Sequence, residues 1–229
     1  MNTAIILSGG IGSRMGADCP KQYIMVRKQP IISYCLDIFE KHPMIDHIVI
    51  VADEQWQAFI HEWIERLKIS KFFRFAPAGR TRQHSIYNGL KVAGECTPDE
   101  GVVIMHDAAR PLVSDQIISD CLIGAKEDGG AMPVITVKDT VYFSKDGAAI
   151  DQLLDRSCLY AGQAPEAFRF GEYLAIHDAA GDEEIAATVG TSQIAYRHGM
   201  KVRLVKGSER NIKITTPEDL STFETILSE

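Results

Sequence analysis

Thr3-Ala4-Ile5-Ile6-Leu7, then Ser8-Gly9-Gly10-Ile11-Gly12-Ser13-Arg14-Met15-Gly16, closing in Pro20-Lys21-Gln22, is the stretch from which the fold can be read. Five apolar or β-branched residues running straight into glycines predict a buried strand ended by a tight loop. With so little side-chain bulk, the backbone N–H groups of such a loop can approach an anion closely, and Arg14 and Lys21 add positive charge beside them. Two commoner phosphate loops are excluded. A Walker A loop would end in Gly-Lys-Ser or Gly-Lys-Thr, whereas Lys21 follows a proline; a dinucleotide fingerprint begun at Gly10 and Gly12 needs glycine where Met15 stands. The plain alternative is an ordinary strand-to-helix turn with no ligand.

Outward from that loop, the chain of 229 residues, 45% hydrophobic, is long enough to bury a full core, which predicts one α/β domain with room for an appendage. A net charge of −7 argues against broad nucleic-acid binding, but not against a small anionic ligand in a locally basic pocket. Cys19, Cys35, Cys96, Cys121 and Cys158 are odd in number and lack Cys-x-x-Cys spacing. They read as reduced thiols of a cytoplasmic protein. No apolar run approaches membrane-spanning length and the start is not that of an export signal, so neither membrane nor export is expected.

Helical spacing predicts a helix from Pro30 to Phe39 and an amphipathic one from Trp56 to Leu67, whose aromatic stripe reads as core packing. His47–Ala52, Phe72–Ala76 and Gly101–Met105 read as strands. Gly79-Arg80-Thr81-Arg82-Gln83-His84-Ser85 opens a helix ending near Ala93, and His106-Asp107-Ala108-Ala109-Arg110-Pro111 caps the strand before it. This alternation implies a Rossmann-like, mostly parallel sheet flanked by helices, with ligands beyond the strands' carboxyl ends. By that rule the loops at 8–21, 79–85 and 106–111 converge. Between about 136 and 165 the rhythm breaks. Val134–Val137, Thr140–Phe143 and Gln152–Leu154 read as strands about a Lys145-Asp146-Gly147 turn, a β-arm that either packs back or, the favoured reading, reaches another subunit. A helix near Phe170–Ala180, a weaker stretch from Thr188 to Ala195, a strand at Val202–Val205, Asn211-Ile212-Lys213-Ile214-Thr215, and a helix capped by Thr216-Pro217-Glu218-Asp219 complete the chain.

The glycine loop with Arg14 and Pro20-Lys21-Gln22, Arg82-Gln83 with Ser85, the His106–Pro111 run, Asp139-Thr140 and Asn211–Thr215 together resemble the 2-C-methyl-D-erythritol 4-phosphate cytidylyltransferases and their ribitol-5-phosphate relatives. The resemblance implies a single nucleotidyltransferase domain over 1–229 that moves CMP from CTP to a sugar-alcohol phosphate, uses Mg2+, and forms a homodimer through the β-arm. It places Leu7, Ser8, Gly9, Gly10, Gly79, Arg80 and Ser85 around the nucleotide, and Arg14 and Lys21 on its triphosphate. Asp107, Ala108, Arg110 and Lys213 fall around the ribose, metal and acceptor phosphate, with Asp107 as the metal residue. Thr140 falls beside the acceptor, and Arg156 is lent to the partner's site. Two departures fall on the acceptor side: Ala164-Pro165-Glu166 stands where Thr-Pro-Gln is usual, and Val189-Gly190 or Thr191-Ser192 where Thr-Asp is usual. Methylerythritol phosphate is the first expectation for the acceptor and ribitol 5-phosphate, or another alditol phosphate, the second.

The chemistry can also be argued from the residues. A phosphate monoester is largely dianionic at neutral pH, since its second pKa is near ~6, and needs no base to attack. Repulsion between phosphates is the obstacle, which cations such as Arg14, Lys21, Arg156 and Lys213 relieve. Asp107 suits magnesium, or caps the following turn. His106 is a base or a satisfied structural group, and Arg156 is a catalytic cation or the ion-pair partner of Asp155 or Asp151. The rivals are a hexose-1-phosphate nucleotidyltransferase and a nucleotide-binding regulatory module without turnover.

Overall fold

The opening strand, β1 (Asn2–Leu7), lies at the middle of the molecule, with Ala4, Ile5 and Ile6 fully buried. The computed structural model describes residues 1–10 and 19–228. In chain order there follow β2 (Met25–Val26), β3 (Gln29–Pro30), α1 (Ile31–Lys41), β4 (His47–Ala52), α2 (Glu54–Leu67), β5 (Phe72–Pro77), α3 (Arg82–Ala93), β6 (Val102–Asp107), α4 (Asp115–Asp128) and β7 (Gly130–Thr136). The second half holds β8 (Tyr142–Phe143), β9 (Gln152–Leu153), β10 (Tyr160–Gly162), β11 (Glu166–Arg169), α5 (Phe170–Ala179), α6 (Asp182–Ala187), α7 (Thr191–Arg197), β12 (Val202–Lys206) and α8 (Pro217–Ile226).

Eight strands form one sheet in the order β10-β7-β11-β6-β1-β4-β5, with β12 on β7. The pairs β6/β1, β1/β4, β4/β5 and β7/β12 are parallel; β10 and β11 run against their neighbours. The result is the mostly parallel sheet that the strand and helix rhythm predicts. Strands buried on both faces carry apolar residues at successive positions. Accordingly Ile6, Ile48, Ile50 and Ile104 meet α1, α2 and α4 on one face, while Ile5, Val49, Val51 and Val103 meet α3, α5 and α7 on the other. A smaller cluster of Val26, Ile31, Ile214 and Phe223 docks α8.

Register places Leu7 beside both Val51 and Asp107, and Ala52 beside Pro77, so β1, β4, β5 and β6 end at one edge. The chain moves outward from β1 through β4 to β5 and returns to β6 on the other side, which opens a crevice at that edge.

The structure differs from the sequence reading in several details, among them that β2, β3, β10 and β11 form where the reading assigned no strand, β10 and β11 returning to the main sheet. His106 and Asp107 belong to β6 and do not cap it. In the 136–165 region Val137 falls just beyond β7, and the two arm strands shrink to two residues each, with Thr140, Val141 and Leu154 outside them; β8 and β9 pair only with each other and find no sheet to extend them. Finally, α4 and α6 occupy stretches to which the reading assigned no helix.

Candidate active site

At the shared strand edge lies a cleft of about 530 Å³. Of the residues singled out from sequence, Leu7, Gly9, Gly10, Lys21, Gly79, Arg80, Ser85, Asp107 and Lys213 line it. Arg14 lies outside the described residues.

The β1 loop is held from behind. Gln22 donates from Nε2 to the Ser8 carbonyl at 2.6 Å and to the Gly10 carbonyl at 2.8 Å, while the Ser8 hydroxyl is buried against the Tyr23 hydroxyl at 2.8 Å. Ser8 thus anchors the loop, and glycines present it to the cleft. Across the cleft, the Gly79 N–H donates to Ser85 Oγ at 2.9 Å, and α3 begins under a Thr81 cap. A Cβ on Gly79 would stand 2.7 Å from the Ser85 backbone nitrogen, and one on Gly9 2.6 Å from Ala78 Cβ, so the two loops approach too closely for any side chain. Arg80 pairs with Asp182, whose other oxygen is 3.0 Å from His84 Nε2.

Asp107 is the electrostatic centre. Its Oδ1 accepts from Arg82 Nη2 at 3.1 Å, its Oδ2 is 2.8 Å from Lys213 Nζ, and Arg110 Nε lies 3.8 Å away. Burial alone would raise its pKa, yet the Arg82, Lys213 and Arg110 charges hold it well below the usual carboxylate range. Lys213 rides on an irregular segment pinned by buried neighbours. Asn211 donates to the Ala164 carbonyl at 2.7 Å and its own carbonyl accepts from Arg110 Nη1 at 2.6 Å; the Ile214 N–H donates to the Ala109 carbonyl at 2.9 Å. Beyond it, Asp219 accepts from the backbone N–H groups of Thr215 and Thr216 in the capping box of α8.

His106, fully buried, donates from Nε2 to the Arg110 carbonyl at 2.9 Å and packs near Phe39; burial pushes its pKa down to about 4. Its hydrogen bond ties β6 to the loop at Arg110, and it does not line the cleft. Ala108 is buried and Arg110 half-buried, and neither lines the cleft; Arg110 faces Asp107 and the Asn211 carbonyl instead. Thr140 and Arg156 sit exposed on the arm and do not line this chain's cleft. The Arg156 guanidinium donates to the Lys138 carbonyl, with no ion pair among the described residues to Asp155 or Asp151.

The residue-by-residue reading gave no role to Arg82, Asp53, Thr81, Ala109 or Thr215, all of which line the cleft. Arg82 was visible in the Arg82-Gln83 motif, but its partner Thr191, 109 positions away, was not. For metals, no cluster of three or more His, Cys, Asp or Glu occurs among the described residues. Asp107, with its oxygens engaged by Arg82 and Lys213, and Asp53 are the carboxylates that line the cleft, a set that suits a magnesium ion held chiefly by ligand phosphates and water, not a protein-built cage. No described helix is long and apolar enough to cross a membrane.

Comparison with known proteins agrees with this geometry. A 2-C-methyl-D-erythritol 4-phosphate cytidylyltransferase from Clostridium acetobutylicum is 38% identical over 228 residues, covering 99% of this chain and 97% of that protein. A ribitol-5-phosphate cytidylyltransferase from Lacticaseibacillus paracasei is 34% identical over 235 residues, covering 100% and 99%. Among solved structures, a 4-diphosphocytidyl-2C-methyl-D-erythritol synthase from Anaerococcus prevotii superposes with a TM-score of 0.84 at 26% identity, covering 100% of this chain and 96% of that one. The sequence profile for 2-C-methyl-D-erythritol 4-phosphate cytidylyltransferase (IspD) matches residues 2–229, and the chain belongs to that family of CTP-dependent nucleotidyltransferases.

Proposed function

We propose that an acceptor phosphate oxygen attacks the α-phosphorus of CTP in this cleft, forming the new P–O bond as the bond to the β-phosphate oxygen breaks and pyrophosphate leaves. The observation that carries this reading is that Lys21 and Lys213, from opposite ends of the chain, line one cleft, where Lys213 and the Arg82 guanidinium both pair with Asp107. Cations fixed in advance stabilise charge as it accumulates on the leaving group without reorganising. Lys21, with Arg14 beside it in sequence, serves the triphosphate. Lys213 serves the acceptor phosphate, with Arg110 behind it bracing Asp107 and the Asn211 carbonyl, and the backbone at Gly9, Gly10 and Gly79 with Ser85 holds the base and ribose. Mg2+ is the preferred metal; bound with CTP it would neutralise phosphate charge, and Asp107 is the residue that would hold it. The attacking group is already ionised, so no general base is needed.

For the acceptor, 2-C-methyl-D-erythritol 4-phosphate is the first choice and would place the reaction in isoprenoid biosynthesis. Ribitol 5-phosphate is the second reading, kept open by relatives of both names at similar identity and by the Ala164-Pro165-Glu166 departure on the acceptor side. Through the arm, a homodimer would bring Thr140 and Arg156 of one protomer to its partner's cleft. The chain functions as one nucleotidyltransferase domain, in the cytoplasm. Pyrophosphate release with CTP and each acceptor in turn tests the reading. Turnover with one of them supports it; CTP binding without turnover for any acceptor would favour a regulatory module.

A further inference from the structure

We infer that Glu166 is a positioning residue that holds Arg82 where its N–H groups read the hydroxyls of the acceptor, an inference that rests on the cytidylyltransferase reading. Glu166, on β11, is buried. Its Oε2 accepts from the Ser192 N–H at 2.8 Å and from the Ser192 hydroxyl, and its Oε1 lies 3.9 Å from Arg82 Nη2. On its other side Arg82 donates from Nη2 to Asp107 at 3.1 Å and from Nη1 to the Thr191 hydroxyl. Thr191 is fixed in turn, because the fully buried Tyr173 donates its hydroxyl to the Thr191 carbonyl at 3.0 Å. The guanidinium is therefore held from β6, β11 and α7 at once, while still forming part of the cleft wall.

Two physical consequences follow. A guanidinium set between two carboxylates has its charge largely answered before a ligand arrives, so what it offers the cleft is a rigid fork of donors suited to neutral hydroxyls. Were the Glu166 charge absent, Asp107 would attract Arg82 without opposition and draw the fork out of place. Ser192, at the start of α7, ties the same carboxylate to the helix that carries Thr191, so the whole wall moves as one piece.

The test compares Glu166→Gln, Glu166→Asp and Glu166→Ala with the wild-type protein by steady-state pyrophosphate release, with CTP and either ribitol 5-phosphate or 2-C-methyl-D-erythritol 4-phosphate, alongside thermal melting. Glu166→Gln keeps an oxygen for Ser192 and loses only the charge. It should raise the KM of the acceptor roughly tenfold, leave the KM of CTP within about twofold, and leave the melting temperature unchanged. Glu166→Asp should recover part of the loss, and Glu166→Ala should add a drop in melting temperature. An unchanged acceptor KM, or acceptor and CTP KM values rising together in Glu166→Gln, overturns the inference. A wild-type protein that releases pyrophosphate with neither acceptor overturns the cytidylyltransferase reading and this inference with it.

Discussion

Asp107 shows how burial and charge compete at a single carboxylate. Its ionised form is stable only because Arg82, Lys213 and Arg110 surround it, and removing its charge strands those cations in a partly buried cluster. Breaking such a pair costs about 3 kcal/mol, so Asp107→Asn should lower the melting temperature by several degrees as well as abolish most turnover; a melting curve and one rate check both. A carboxyl whose folded pKa is depressed contributes stability above its unfolded pKa, near ~3.9, and loses it as pH falls through the lower folded value. The Asp107 cluster therefore persists through mildly acid pH. The fall in kcat/KM for the acceptor on acidification should instead break near ~6, where the acceptor phosphate takes up its second proton. Gly79 offers a steric counterpart. A methyl group there would meet the Ser85 backbone nitrogen at 2.7 Å, and backbone cannot yield as a side chain can. Gly79→Ala should raise the KM of CTP at least about tenfold, equivalent to ~1.4 kcal/mol of binding.

Among the elements, α3 and α5 are joined by a buried polar link that the sequence did not advertise. His177 donates from Nδ1 to the Tyr173 carbonyl at 2.8 Å and accepts from Gln83 Nε2 at 2.6 Å, and burial pushes its pKa down from 6.5 to about 4. A histidine held neutral in the folded state favours unfolding as acid is added, because the unfolded chain takes up the proton first. Stability should decline as pH falls from about 6.5 towards about 4, and His177→Gln should flatten that decline in a series of melts across pH. What could be read beforehand follows periodicity. The apolar strands β1, β4 and β5 and the amphipathic α2 were plain, because their residues repeat at the spacing of the element they form. A six-residue helix such as α6, Asp182-Glu183-Glu184-Ile185-Ala186-Ala187, has too few turns to show a period. By contrast, α4 does carry a readable stripe of Ile117, Ile118, Cys121, Leu122 and Ala125 behind a Ser114 cap. The links of Arg82 to Thr191 and Glu166 are tertiary, and no local pattern encodes them.

Over the whole molecule, the 136–165 region stands apart. Tyr142, Phe143, Ile150 and Leu153 are 52%, 44%, 61% and 72% exposed, more apolar surface than a two-residue strand pair can justify alone. The proposed dimer would cover it. Leu153→Glu should then shift the protein to monomers in sedimentation, and a dimer that persists would argue against the arm as the interface. If Arg156 completes the partner's cleft, mixing inactive Lys21→Ala with inactive Arg156→Ala chains should restore part of the activity in mixed dimers. If cations from distant parts of the chain meet at one sheet edge to let two phosphates react, Lys213→Ala should slow single-turnover pyrophosphate release at saturating CTP and acceptor by roughly 10²–10³ with the fold intact; a rate equal to that of the unaltered protein would show that the cluster does not serve the reaction.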